Sequence, residues 1–321
     1  MTPLTPQDAA LKKTVRGYTI IHLLLLATAY ITLVVVTAPD AETVRETWHF
    51  FPIGIFGAIV ANSTGTGGGV VFVPAFSVEG IVPPQSVGMS FLIQCFGMSV
   101  GALVWLNALF VGRVVKNSDA IEPHALLGIV GIVLATGLPS LILTQLVLFE
   151  RVDQGLLLTA FKLFSIVLGA VLLVVTLAKD PFAPKKIRRV PTVGDNRALV
   201  VLGIVGGAVT AFFSVGVGEF LAIYMILRGF ATIAAVVCAV AVSVLYVLAG
   251  VIYHLALDTI GGPSGIGWDV VAFAIPGALI GGYLAKLFAG FLGAQRLKLF
   301  ASIWIVASAA YLLLQGVLMS T

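Results

Sequence analysis

Asn62-Ser63-Thr64-Gly65-Thr66-Gly67-Gly68-Gly69-Val70-Val71-Phe72-Val73-Pro74 places a polar, glycine-dense run inside an apolar stretch. A shorter version, Ser214-Val215-Gly216-Val217-Gly218-Glu219, recurs about half the chain later. A helix crossing hydrocarbon satisfies its own backbone groups, so a Ser/Thr/Gly run at that depth persists only where it lines a protein-enclosed or water-filled cavity. Two such breaks are the mark of a membrane transport site. A half-helix starting at Gly67 to Gly69 turns its free N–H groups and the positive end of its dipole toward the break, which favours an anion as the ligand.

The surrounding chain fits that solvent. Of 321 residues, 60% are hydrophobic and 10% charged. Apolar runs of membrane-spanning length recur at 17–37, 84–111, 124–147, 156–178, 231–256, 268–290 and 297–318, with broken ones at 52–79 and 198–229. This describes an all-α polytopic membrane protein with no room for a soluble domain. Leu23 to Val36 follows Lys12, Lys13 and Arg16 in the manner of a signal peptide, but Pro39 after Ala38 disfavours cleavage, so the segment reads as a retained helix. Cys95 and Cys238 both fall in apolar helices and form neither a disulfide framework nor a metal motif. The net charge of +4 reflects loop lysines and arginines rather than affinity for nucleic acid.

The placement of those charges decides between two topologies. If all nine segments cross and the basic N-terminus is inside, the 18 lysines and arginines divide nine against nine. If the two broken segments are re-entrant hairpins, only Arg45, Arg151 and Lys162 lie outside and fifteen lie inside. The positive-inside rule selects the hairpins. Each half then has one hairpin and three crossings, an odd number, so the second half is inverted. Half-helices of about 12 residues reach about 18 Å, past the middle of a hydrocarbon core about 30 Å thick, so the tips can meet.

The halves also match in sequence: Ser63-x-Gly65-x-Gly67 against Ser214-x-Gly216-x-Gly218, and Lys162-Leu163-Phe164 against Lys298-Leu299-Phe300. The organisation that follows is an N-terminal helix and external loop at 1–50, a first transport repeat at 51–178, a linker at 179–197 and a second, inverted repeat at 198–321. The linker holds Pro181, Pro184 and Pro191 with six basic residues and reads as a cytoplasmic loop, either near anionic headgroups or simply solvated.

At these residues the chain resembles the sulfite exporter TauE/SafE family, whose members carry two Gly-x-Gly-Gly-Gly…Pro motifs, each opening a four-segment repeat. The resemblance covers roughly 50–318. Gly65-Thr66-Gly67-Gly68-Gly69 with Pro74 fits the motif, whereas the second copy has Glu219 and Phe220 in place of Gly68 and Gly69, and Met225 in place of Pro74. The helix at 17–37 lies outside the repeat pair. The resemblance implies export or exchange of small sulfur-containing or organic anions across a bacterial inner membrane.

Candidate substrate-binding residues are Asn62, Ser63, Thr64, Gly65, Thr66, Gly67, Gly68 and Gly69 at the first break and Ser214, Gly216 and Gly218 at the second. Ser90 and Gln94 in the helix after the first hairpin, and Ser243 and Tyr246 in its counterpart, join them, although helix–helix hydrogen bonding explains each of these four equally well. Close helix packing is the competing reading for the glycines, and the assigned one for Gly97/Gly101, Gly203/Gly207 and Gly277/Gly281. A phosphate-loop reading fails because no Lys-Ser/Thr follows the glycines. Glu219 is an ionisable group in an apolar hairpin, where charge is costly and functional. It reads either as a proton-coupling carboxylate or as the partner of Arg228 or a lysine. Glu79 and Arg228, near the hairpin ends, read as snorkelling. His22, His49, His124 and His254 are scattered, so neither a metal nor a catalytic site is expected, and no cofactor.

The expectation is a non-enzymatic secondary transporter in the inner membrane, its N-terminus cytoplasmic, exporting sulfite or an organosulfonate bound between two hairpin tips. An interior-negative potential favours anion exit by about 2.3 kcal/mol per charge per 100 mV. The alternatives are a proton-coupled uptake transporter of a small organic anion, to which Glu219 points, and an anion channel. The partners expected are the small anion and the lipid bilayer, with no nucleic acid, and the oligomeric state is left open.

Overall fold

The computed structural model describes residues 6–110, 121–177, 188–259, 265–292 and 294–318. Lys179, Lys185 and Lys186 of the linker, and Arg113 and Lys116, lie outside the described residues. Those residues form twelve α-helices: α1 Pro6–Thr37, α2 Ala41–Thr47, α3 Phe50–Thr64, α4 Gly69–Val78, α5 Pro83–Phe110, α6 Pro123–Val147, α7 Gln154–Leu177, α8 Val193–Phe213, α9 Val217–Leu227, α10 Thr232–Thr259, α11 Trp268–Leu292 and α12 Ala294–Leu318. Seven helices among the described residues are long and apolar enough to cross a membrane. The protein is a multi-pass, all-helical membrane protein.

Both broken segments break where their glycines fall. The first gives α3 and α4, of 15 and 10 residues, and the second gives α8 and α9, of 21 and 11 residues. An arm of about 12 residues therefore describes three of the four, and α8 is longer. Its start is set by a capping box: the Thr192 hydroxyl accepts from Asp195 N while Asp195 accepts from Thr192 N at 2.7 Å, which begins the helix several residues before the apolar run. Each pair doubles back on itself. Phe50, opening α3, packs edge-on against Phe76 near the end of α4 with ring centroids 5.7 Å apart, and His49 lies 3.5 Å from Glu79. At the other hairpin Arg228 Nε donates to Asp195 Oδ1 at 2.6 Å, and Tyr224 O–H donates to the same oxygen at 2.8 Å.

Small residues set the helix spacing. Gly277 and Gly281 of α11 face the carbonyls of Phe51 and Ile55 on α3. Gly203 and Gly207 of α8 likewise face the carbonyls of Val133 and Gly137 on α6. Without a Cβ at these positions the backbones reach contact that a side chain would prevent. α5 and α10 cross at the centre, where Gly250 meets the Phe91 ring and Gly88 meets His254. α1 lies outside this core: Tyr18, Leu24, Leu25, Val35 and Val36 are exposed, as expected of a helix facing lipid. Tyr30 ties it on by donating to Ala272 O at 3.1 Å.

Candidate functional site

The first tip is shaped by Gly65, which caps α3 in the left-handed region at φ 79° while its N–H donates to Ala61 O at 3.1 Å. That conformation costs glycine nothing and ends the helix. Thr66, Gly67 and Gly68 then lead into α4, whose first helical residue is Gly69. The second tip uses Ser214 in the same role at φ 55°, followed by Gly216 at φ 146° and the start of α9 at Val217. A left-handed serine is strained. It is held by Gln94, whose Nε2 donates to Ser214 Oγ at 2.8 Å and to Ser214 O at 3.1 Å.

The two tips meet. Gly69 abuts the carbonyls of Phe213 and Ser214, and Gly218 abuts the carbonyl of Gly65 and the hydroxyl of Ser243. Across this junction the Glu219 carboxylate is shared: Oε1 accepts the N–H of Gly67 from the first tip, and Oε2 accepts the N–H of Gly216 from the second at 2.8 Å. Gln94 fills the next position, its Oε1 accepting the N–H of Gly68 at 2.6 Å while its Nε2 also donates to Ser90 Oγ at 2.9 Å. Thr210 Oγ1 accepts from Val217 N at 3.1 Å. Four backbone N–H groups at the two tips, those of Gly67, Gly68, Gly216 and Val217, are thus occupied by oxygen atoms of the protein's own side chains. The arrangement suits negative charge, because two helix N-termini present the positive ends of their dipoles to one buried carboxylate.

Glu219 is 1% exposed. Arg228, one of the partners expected for it, instead bonds Asp195. A cavity of about 10 Å³, bordered by Gly67, Gln94, Ser214, Glu219, Ser243 and Tyr246, holds at most one water. The tips are closed in this conformation.

Of the residues singled out from sequence, Gly65, Gly67, Gly68, Gly69, Ser90, Gln94, Ser214, Gly216, Gly218, Glu219 and Ser243 come together here. Asn62 does not turn to the junction: its Nδ2 donates to Ala58 O at 2.9 Å and Gly97 O at 3.2 Å. Ser63 Oγ donates to Ile59 O at 2.6 Å and Thr64 Oγ1 to Val60 O at 2.7 Å, with Thr64 and Thr66 sharing a hydroxyl contact at 2.6 Å. Polar side chains within a helix commonly return to the carbonyl four residues back. Tyr246 borders the cavity, but its hydroxyl donates to Val133 O at 3.0 Å. Two contributors went unread in the sequence. Thr210, inside α8, bonds across the break. Asp195 is 1% exposed and ties Arg188, Arg228 and Tyr224 to the base of the second hairpin, although Thr192-x-x-Asp195 carries the signature of a capping box. Among the described residues no group of three or more His, Cys, Asp or Glu is placed to hold a metal ion.

Residues 50–312 match the family model described as Sulfite exporter TauE/SafE. No curated protein gives a significant match to the chain.

Proposed function

The chain belongs to the sulfite exporter TauE/SafE family, and from that premise we propose that it is a secondary transporter moving a small sulfur-containing oxyanion, sulfite or an organosulfonate, out of the cytoplasm across the inner membrane. One observation carries the reading: N–H groups from two helix starts, Gly67 and Gly216, converge on the two oxygens of a single buried carboxyl group. A carboxylate presents two oxygens on one centre, as an oxyanion of sulfur does, so groups that hold the one suit the other. The substrate site is therefore assigned to the tip residues Gly65 to Gly69, Ser214, Gly216 and Gly218 with Ser90, Gln94 and Ser243. Asn62, Ser63, Thr64, Thr66 and Tyr246 border this group and shape it.

Transport follows from parting the tips. We assign 51–178 and 198–321 to two inverted repeats, each a re-entrant hairpin plus three crossings. Reciprocal packing supports this, since α3 seats on α11 of the other half and α8 on α6 of the other half. The hairpin bases support it too. Phe51 of the first lies against Gly277, nine residues from the start of α11. The second joins the start of α6, through Glu122 N donating to Arg189 O at 3.4 Å and Arg188 N donating to Gly229 O at 2.9 Å. With the N-terminus cytoplasmic, rocking of one repeat against the other exposes the tips to either side in turn. Two negative charges in one buried site repel, so the anion binds once Glu219 is protonated or has swung aside. The membrane potential drives export without a coupled ion, by about 2.3 kcal/mol per charge per 100 mV. Glu219 at the junction also favours a second reading, proton-coupled uptake of a small organic anion, in which the same carboxylate carries the proton. The chain acts without a catalytic group or cofactor in either.

Thermal unfolding of the purified protein with sulfite, sulfate, thiosulfate, taurine and sulfoacetate tests the substrate class. At about a hundred times Kd a bound anion adds about 2.7 kcal/mol of stability. Sulfite or a sulfonate is expected to raise Tm, and a protein whose Tm moves with none of the five contradicts the assignment.

A further inference from the structure

His254 of α10 is fully buried, and neither ring nitrogen has a hydrogen-bond partner. Its ring is enclosed by other rings: Phe91 stacks at 5.5 Å between centroids, Phe149 meets it edge-on at 5.2 Å and Tyr253 at 5.3 Å. A phenylalanine would fill this space without leaving polar atoms unpaired, so packing alone does not account for an imidazole. The residue also stands in line with the tips. Ser243, Val247, Gly250 and His254 recur at helical spacing on one face of α10, and the first two border the junction cavity. On α5, Gly88 touches the His254 ring and lies six residues, about 9 Å, from Gln94. Between them Phe91 rests against Gly250. Gln145 of α6, 1% exposed, reaches the Gly250 carbonyl with its Nε2 at 3.4 Å. Both side chains therefore lie within one helical turn of Gly250, the residue on which the Phe91 ring rests. They lie on the seam between the tips and the end of the bundle where Asp258 receives the Trp268 indole N–H at 3.0 Å.

We propose that His254 and Gln145 form a transit site for the transported oxyanion on the α5–α10 seam, with Phe91 as the barrier between it and the hairpin tips. The proposal rests on the oxyanion-transport reading. When the tips part toward this end of the bundle, an anion leaving Gly67 and Gly216 meets the Phe91 ring first. It then meets an imidazole N–H and a carboxamide N–H, which replace part of its hydration before it reaches bulk water. Sequence alone did not show this pairing, because Gln145 and His254 are more than a hundred residues apart and His254 carries no neighbouring metal or acid–base motif.

The test uses full-length protein with sulfite as the probe and two readouts: sulfite-induced change in Tm for the tip site, and flux of radiolabelled sulfite in proteoliposomes for the path. His254→Phe fills the same space without a donor. It is expected to retain Tm and the sulfite-induced shift while flux falls about tenfold, the loss of one hydrogen bond to an anion. His254→Gln restores a donor and is expected to recover most of that flux. Gln145→Leu, on a different helix, should reproduce the His254→Phe loss. Wild-type flux in His254→Phe overturns the proposal, as does equal loss in the Phe and Gln variants. A wild-type protein that neither shifts with sulfite nor transports it refutes the transport reading instead, and the two failures are distinct.

Discussion

Replacing Glu219 by glutamine keeps the side chain's size and removes its charge. The carboxylate accepts two backbone N–H groups, one from each tip. An amide offers one oxygen, so one donor keeps a neutral bond while the other faces an NH₂ group. With the carboxylate ionised, hydrogen bonds to a charged group contribute about 1.5–3 kcal/mol each and a neutral one about 0.5–1.5, so at a pH where Glu219 is charged the exchange weakens the closed junction by about 2–5 kcal/mol. Glu219→Gln is therefore expected to lower Tm and to raise the labelling rate of a cysteine placed at Val215, which is 1% exposed in the closed form. It should also flatten the pH dependence of sulfite binding, because an amide does not titrate. Wild-type melting together with wild-type labelling of Val215→Cys would refute the idea that this carboxylate ties the tips.

Three further expectations follow from the same geometry. A Cβ at Gly69 would sit 2.7 Å from Ser214 O and 2.8 Å from Phe213 O; backbone cannot yield there, so Gly69→Ala should cost about 1–3 kcal/mol and abolish transport. Gly67→Ala, whose nearest contact is the Gln94 amide oxygen at 3.2 Å, should be milder, and equal effects in transport and melting would contradict this. Thr192→Ala removes the capping box of α8 at about 1 kcal/mol, and Asp195→Ala should lower Tm further because Arg188, Arg228 and Tyr224 lose the same partner; identical melting would show that the cluster anchors nothing. In membrane vesicles, cysteines at Gly80 and Gly229 should label from opposite sides, Gly229 from the cytoplasm, and labelling from one side would refute the inverted hairpins.

Much of the architecture was legible because membrane solvent makes apolar length informative: each expected crossing ends within a few residues of a helix end, and all but the first, whose helix α1 already starts at Pro6 in polar sequence, begin within a few residues of a helix start. The breaks were legible because Gly65 and Gly216 permit backbone that other residues resist. Partners were harder to read. Glu219 stood out as a charge in an apolar hairpin, yet its bond to Gly67 N spans 152 residues and involves a backbone group that no side-chain pattern announces. Arg228 caps the end of the helix that carries Glu219, yet the hairpin folds back and delivers Arg228 to Asp195. Asn62 looked like a site donor because it adjoins the glycines. Its position within α3 instead turns its amide to the carbonyls of Ala58 and Gly97. The length of α8 was underestimated because its polar first turn carries no apolar signal.

The most direct test of the central claim is the flux of radiolabelled sulfite into proteoliposomes preloaded with unlabelled sulfite, comparing the wild-type protein with Gly68→Val. A Cβ at Gly68 meets the Phe72 ring at 2.6 Å and Gln94 Cγ at 2.9 Å, so the larger side chain disrupts the N–H groups at the start of α4. The account predicts saturable exchange in the wild type and none in a folded Gly68→Val variant. Absence of exchange in the wild type, or equal exchange in both proteins, would contradict an oxyanion site at the hairpin tips.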